Sequence, residues 1–157
     1  MNNAGFTEIL LGTLAVMLLV AAIIDMRTFT ISNRLNLAVA LLAPLYWWSI
    51  GLPLWPDAAI QLGVAAAVFA VLAGAFYAGM MGGGDVKLAA ALALWFSPGS
   101  TLKFLVLMSI AGGVLTLMLI VLHRLAKKPG RPEIPYGVAI AFGGLWILAQ
   151  RFLHHFA

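Results

Sequence analysis

Of 157 residues only five are acidic, and two of these stand where they could act together. Asp25 closes a long apolar run and is followed by Met26-Arg27. Asp85 ends the stretch Met80-Met81-Gly82-Gly83-Gly84-Asp85 and is followed by Val86-Lys87. A carboxylate in or near lipid is costly to keep ionised, so its presence there points to function. Two carboxylates close together do not both ionise readily and tend to share one proton. Such a pair can activate a water with one member and protonate a leaving group with the other, and it titrates as a pair. The three glycines are expected to let the backbone turn sharply at a helix junction and to clear side chains from the carboxylate. An extended substrate could then lie against that backbone.

Each feature also has a plainer reading. Asp25 could be an interfacial charge paired with Arg27 or Arg34, and Asp85 the N-cap of the helix that follows it. The triple glycine could be a hinge. It also resembles half of a phosphate loop, but no Lys-Ser or Lys-Thr pair follows and no strand precedes it. Two acids meeting on one membrane face, with so few acids in the chain, favour the functional reading. Lys87 either tunes the pair or snorkels and sets orientation. Asn33 either hydrogen-bonds within the first loop or caps the second helix near Leu35, and capping is favoured. Tyr136 is either an interfacial aromatic or a hydrogen-bond donor near the site, with Pro135 and Gly137 shaping its turn. Glu8 and Asp57 read as interfacial or helix-start charges, and Glu133 as a balance within a basic loop. His123, His154 and His155 form no HExxH metal motif, and no GxSxG elbow occurs. The absence of cysteine removes disulfides, thiolate metal sites and a cysteine nucleophile.

The elements that must position these residues follow from composition. The chain is 64% hydrophobic and 9% charged, with mean hydropathy +1.06, whereas soluble domains carry about 25% charged residues. Lipid is therefore the solvent for most of the chain. A soluble enzyme, a disordered tail and a nucleic-acid module are excluded. Length predicts one membrane-embedded domain over 1–157. Its fold class is all-α, with apolar segments at roughly 6–24, 35–52, 58–81, 86–97, 102–123 and 136–153 read as six transmembrane helices in a compact bundle. The fourth is short, broken by Ser97-Pro98-Gly99-Ser100. Either it runs past Pro98 or one of its ends, that of Asp85, lies below the lipid surface. The first segment lacks a basic n-region and a cleavage site, and is read as a retained helix.

Seven of the nine Lys and Arg residues fall on one side: Arg27, Arg34, Lys87, Arg124, Lys127, Lys128 and Arg131. Lys103 and Arg151 fall on the other. The positive-inside rule makes the first side cytoplasmic and places both termini outside. Asp25 and Asp85 then share the cytoplasmic face. Trp47, Trp48 and Trp55 are expected in an aromatic belt at the opposite face. Small residues recur every fourth position in the third segment (Ala66, Ala70, Gly74, Ala78, Gly82). They recur in the last as Gly137/Ala141 and Ala139/Gly143. Both stripes are expected to let neighbouring helices approach closely.

Gly82-x-Gly84-Asp85, with Asp25 near the end of the first long helix, resembles the GxGD intramembrane aspartic peptidases. Within these the chain resembles the type IV prepilin peptidases, in the small form that serves Flp (tight-adherence) pili. Asp25 to Asn33 is similar to the first-aspartate motif, Gly82 to Leu88 to the second, and Pro135-Tyr136-Gly137 to Ala141 to a third segment. Ser32 stands where the family often has proline. The larger members add a cysteine-bearing N-terminal region linked to metal binding and N-methylation. This chain has no cysteine and no room for that region. The resemblance implies a peptidase of the bacterial inner membrane, without methyltransferase activity. Asp25 and Asp85 would be catalytic, and Gly82, Gly83, Gly84, Lys87, Asn33, Pro135, Tyr136 and Gly137 would support them or the substrate. No cofactor or metal is implied. The partner would be a prepilin precursor, with membrane lipid around it and no nucleic acid. Two readings from other classes compete: a small proton- or ion-coupled transporter, because paired intramembrane acids also serve as ion sites, and a non-catalytic subunit of a pilus or secretion assembly. Transporters usually hold such sites near the midplane, whereas both acids here map to one edge.

Overall fold

The computed structural model describes residues 3–127, 129–130 and 132–156. Each apolar segment is a helix: α1 Ala4–Thr28, α2 Asn33–Ser49, α3 Ala59–Tyr77, α4 Gly83–Ala93, α5 Pro98–Leu125 and α6 Tyr136–Phe156. No strand occurs among the described residues. Lys128 and Arg131, counted above in the basic loop, lie outside the described residues, as do the terminal residues and the side chains of His154 and His155. Three helical stretches are long and apolar enough to cross a membrane: Ala4–Thr28, Leu54–Tyr77 and Pro98–Leu125. Their outward surfaces are apolar, with Ile9, Val16, Leu19, Val71, Val114 and Leu117 all exposed. The buried polar side chains among the described residues are few: Asp25, Asn36, Gln61, Asp85 and Thr101. A bundle with apolar residues outside and a handful of polar ones inside suits lipid as solvent.

Local sequence sets the helix ends. Ser97 caps α5 by accepting the Ser100 N–H, and Pro98 occupies the first helical position, where its missing N–H costs nothing. The fourth helix therefore does not run past Pro98. Ser32 caps α2 by accepting the Leu35 N–H at 3.3 Å. This corrects the expectation for Asn33, which is one residue too late: it already has helical geometry as the first residue of α2. The sharp turn expected at the triple glycine falls earlier, at Gly79 with φ +70°. There only a residue without Cβ is unstrained.

Helix α4 is the centre of the bundle and its most buried part. It packs against α2, α3 and α6, while α6 also packs along α1 and α5. At eleven residues α4 covers only about 16 Å. Two tryptophans tie its far end to α2. Trp47 donates to the Leu94 carbonyl at 2.7 Å, and Trp95 donates to the Val39 carbonyl at 3.0 Å. Trp47 is thus a core residue rather than part of a belt, whereas Trp48 and Trp55 are exposed.

The two small-residue stripes part company. In α6 close approach is realised: Ala139 and Ala141 are buried, and a Cβ on Gly143 would lie 3.2 Å from the Met108 backbone of α5. In α3 the expectation fails. Ala66, Ala70, Gly74, Ala78 and Gly82 are all exposed, and the helix buries Gln61, Ala65 and Val68 instead. The α3 contact with α4 is made by the strip one position away, so among the described residues no helix covers the stripe.

Candidate active site

Asp25 lies in the last turn of α1 and is 2% exposed; Asp85 is the third residue of α4 and 6% exposed. Both come to the end of the bundle where α1 stops and α4 and α6 start. Ile31 lies against the glycine that precedes Asp85 and against the glycine that seats Asp25. The expectation that Asp85 is an N-cap is corrected by one turn: Gly82 holds that position. Asp85 reaches back to it, its Oδ2 accepting the Gly82 N–H at 3.2 Å. This is the carboxylate half of a capping box. Its other oxygen, Oδ1, is buried without a hydrogen-bond partner. Asp25 is seated across the bundle. Its Oδ2 accepts the Gly137 N–H at 2.7 Å, from the first turn of α6, where amides lack intrahelical partners and the helix dipole favours negative charge. Neither Arg27 nor Arg34 is needed to account for this seat.

Three glycines permit this convergence by close approach. A Cβ on Gly84 would lie 2.8 Å from the Ile31 carbonyl oxygen, and one on Gly82 would lie 2.8 Å from Asp85 Oδ2. A Cβ on Gly137 would lie 2.7 Å from Ile31 Cδ1 and 2.8 Å from Asp25 Oδ2. Contacts below 3 Å leave no room for a methyl group. Gly83 differs: its Cβ would meet only the Phe76 ring, at 3.4 Å. The spacing Gly-x-Gly-Asp thus follows from packing, with the middle position the tolerant one. Ile31, buried in the α1–α2 loop, touches the glycines beside both acids.

The other residues singled out from the sequence fall as follows. Lys87 is exposed, and its ammonium donates to Asn33 Oδ1 at 2.8 Å. The two tie the start of α2 to the first turn of α4. Pro135 is buried and its carbonyl accepts the Val138 N–H at 3.2 Å, which shapes the entry to α6. Tyr136 faces α5 rather than the acids. Its ring packs on Gly112 and its hydroxyl accepts from Thr116 Oγ1 at 3.3 Å. Two residues at the site escaped the sequence reading. Asn36 is buried and donates to the Gly84 carbonyl at 2.9 Å; its signal was an amide inside an apolar segment. Ile31 fell inside the first-aspartate stretch but was not singled out there, since its role lies in where its backbone runs.

Residues 12–117 match the model of the type IV leader peptidase family. The chain belongs to that family. Membership makes it a leader-peptidase-like protease, and its long apolar helices mark it as a membrane protein. No curated protein and no solved structure matches the chain. Both Asp25 and Asp85 lie within the residues matched to the leader peptidase family, whereas Gly137, which seats Asp25, lies beyond them.

Proposed function

We propose that this leader peptidase is an intramembrane aspartic endopeptidase that removes the leader from Flp-type prepilin precursors at the cytoplasmic face of the bacterial inner membrane. The six helices cross the membrane with both termini outside, and Asp25 and Asp85 are its catalytic residues. The observation that carries this reading is the convergence of two buried carboxylates, from distant parts of the chain, around Ile31 at one end of the bundle. Each is steadied through Oδ2 by a backbone N–H, and Asp85 keeps Oδ1 without a partner.

The pair holds one proton and one water. The ionised member takes a proton from the water as its oxygen bonds to the scissile carbonyl carbon. The protonated member donates to the carbonyl oxygen, giving a neutral gem-diol. Collapse of that intermediate breaks the C–N bond: the protonated carboxyl gives its proton to the leaving amine while the ionised one takes a proton from a gem-diol hydroxyl, which restores the singly protonated pair. A new carboxylic acid and a free amine result, and no metal or organic cofactor takes part. Beside the site, a cleft of about 500 Å³ runs between the chain after α3, α5 and the start of α6, lined by Met80, Met81, Met108, Gly112 and Tyr136. Its lining residues Met81 and Tyr136 directly precede Gly82 and Gly137 in the chain, which recommends it as the seat of the precursor's apolar helix.

Co-expression with a candidate prepilin tests the reading. Wild type should release the leader, seen as a mobility shift on a gel. Asp25→Asn and Asp85→Asn should each leave the precursor intact while accumulating in the membrane. Normal processing by either variant sinks the two-aspartate reading.

A further inference from the structure

The end of the bundle away from the aspartates holds a second polar site. A cavity of about 450 Å³ opens there between the start of α1, the end of α2, the start of α3, the α4–α5 turn and the end of α6. It gathers Lys103 and Arg151, the two basic residues that the charge pattern sets apart from the seven others. Arg151 is held in place by Tyr46: it donates to the Tyr46 hydroxyl, and its guanidinium carbon lies 5.3 Å from the ring centroid. Ser97 and Ser100 bring the N-terminus of the 28-residue α5 to the same wall. Gln61 also lines the cavity. It is 6% exposed, and its Oε1 has no hydrogen-bond partner.

These features select a ligand class. Two cations and a helix N-terminus favour an anion, and among the described residues no acidic side chain lines the cavity. An arginine whose fork is oriented by packing matches phosphate geometry. An unsatisfied buried carboxamide is costly and asks for a ligand hydroxyl. The remaining wall, with Leu11, Trp95 and Leu148, is apolar. We propose that this cavity binds a hydroxyl-bearing phosphate ester, its phosphate on Arg151 and Lys103 and its hydroxyl on the Gln61 carboxamide. Two sources share that chemistry: the headgroup of phosphatidylglycerol and free glycerol phosphate. The site is independent of the aspartates. Glu8 shares a smaller neighbouring cavity of about 150 Å³ with Arg151 and competes with the anion for it.

The test uses the purified full chain and native mass spectrometry, with phosphatidylglycerol, phosphatidylcholine or glycerol phosphate added singly. Phosphatidylglycerol should be retained well above phosphatidylcholine, which has no hydroxyl to offer Gln61. Loss of one charge-assisted hydrogen bond weakens binding about tenfold, so Lys103→Gln and Arg151→Gln should each lower retention by about that factor. Lys103 is exposed, so its variant removes charge without opening the core. Glu8→Gln should raise retention. If glycerol phosphate alone binds as tightly as the lipid and both variants weaken it, the site stands and its ligand is the free ester. Equal retention of the two lipids with no binding of glycerol phosphate, or retention unchanged in both variants, overturns the proposal.

Discussion

The two aspartates occupy seats of opposite construction. Asp85 is held within its own helix start, by an amide three residues away. Asp25 is held by an amide 112 residues away, on a helix that must first dock against α1. The local seat forms whenever α4 forms. The distant seat forms only when the bundle has closed. The difference also shows in the second oxygen: the local seat leaves Asp85 Oδ1 buried and unpartnered. A carboxylate placed by one weak local contact retains chemistry to offer. One clamped by tertiary packing is better suited to fix geometry.

The strongest test of this contrast removes the charge from each side. Asp25→Asn and Asp85→Asn should both lower leader cleavage by about a thousandfold, the range spanned by loss of positioned acid–base groups. A large residual rate in one variant alone would mean that the two seats do not serve one reaction.

Glycine substitutions come next. Gly137→Ala pushes a methyl into Asp25 and Ile31, and Gly84→Ala pushes one into the Ile31 backbone. Each should cost about 1–3 kcal/mol of stability through overpacking, read as a lower thermal midpoint, together with most of the activity. Gly83→Ala, facing the Phe76 ring, should leave both within about 0.5 kcal/mol of wild type. If Gly83→Ala were as damaging as Gly84→Ala, close approach would not explain the glycine spacing.

Smaller effects sharpen the picture. Asn36→Ala should cost about 1 kcal/mol by leaving the Gly84 carbonyl without its donor, and should slow cleavage without abolishing it. Lys87→Gln breaks an exposed contact with Asn33 and should change stability by less than about 1 kcal/mol. A strong loss of cleavage at unchanged stability in that variant would return Lys87 to the acids' electrostatics.

The same local-versus-distant distinction governs what could be read in the chain. The six helices were visible because apolar runs and the Ser97-Pro98 break are contiguous signals. The chain order around Asp85 was visible for the same reason. Gly137 was singled out as part of a turn, but its hydrogen bond to Asp25 depends on how α6 docks, and no spacing rule encodes that. Small-residue stripes illustrate the limit. The periodicity is alike in α3 and α6, yet only the α6 stripe meets a neighbouring helix. Period specifies a face; it does not specify whether that face has a partner. Gln61 and Asn36 were legible in principle as amides in apolar runs, while Ile31 was legible only as one member of the first-aspartate stretch.

The loop that carries Ile31 has an unusual standing for a loop. Residues 28–30 are exposed, and exposed connections of this kind ordinarily absorb insertions and deletions. Here the backbone at Ile31 abuts Gly84 and its side chain abuts Gly137. One residue more or less between Thr28 and Ser32 would lift it off both glycines at once. The spacing of the two acids is therefore metered by chain length, and a stretch that looks free to vary is fixed in length by the site it borders.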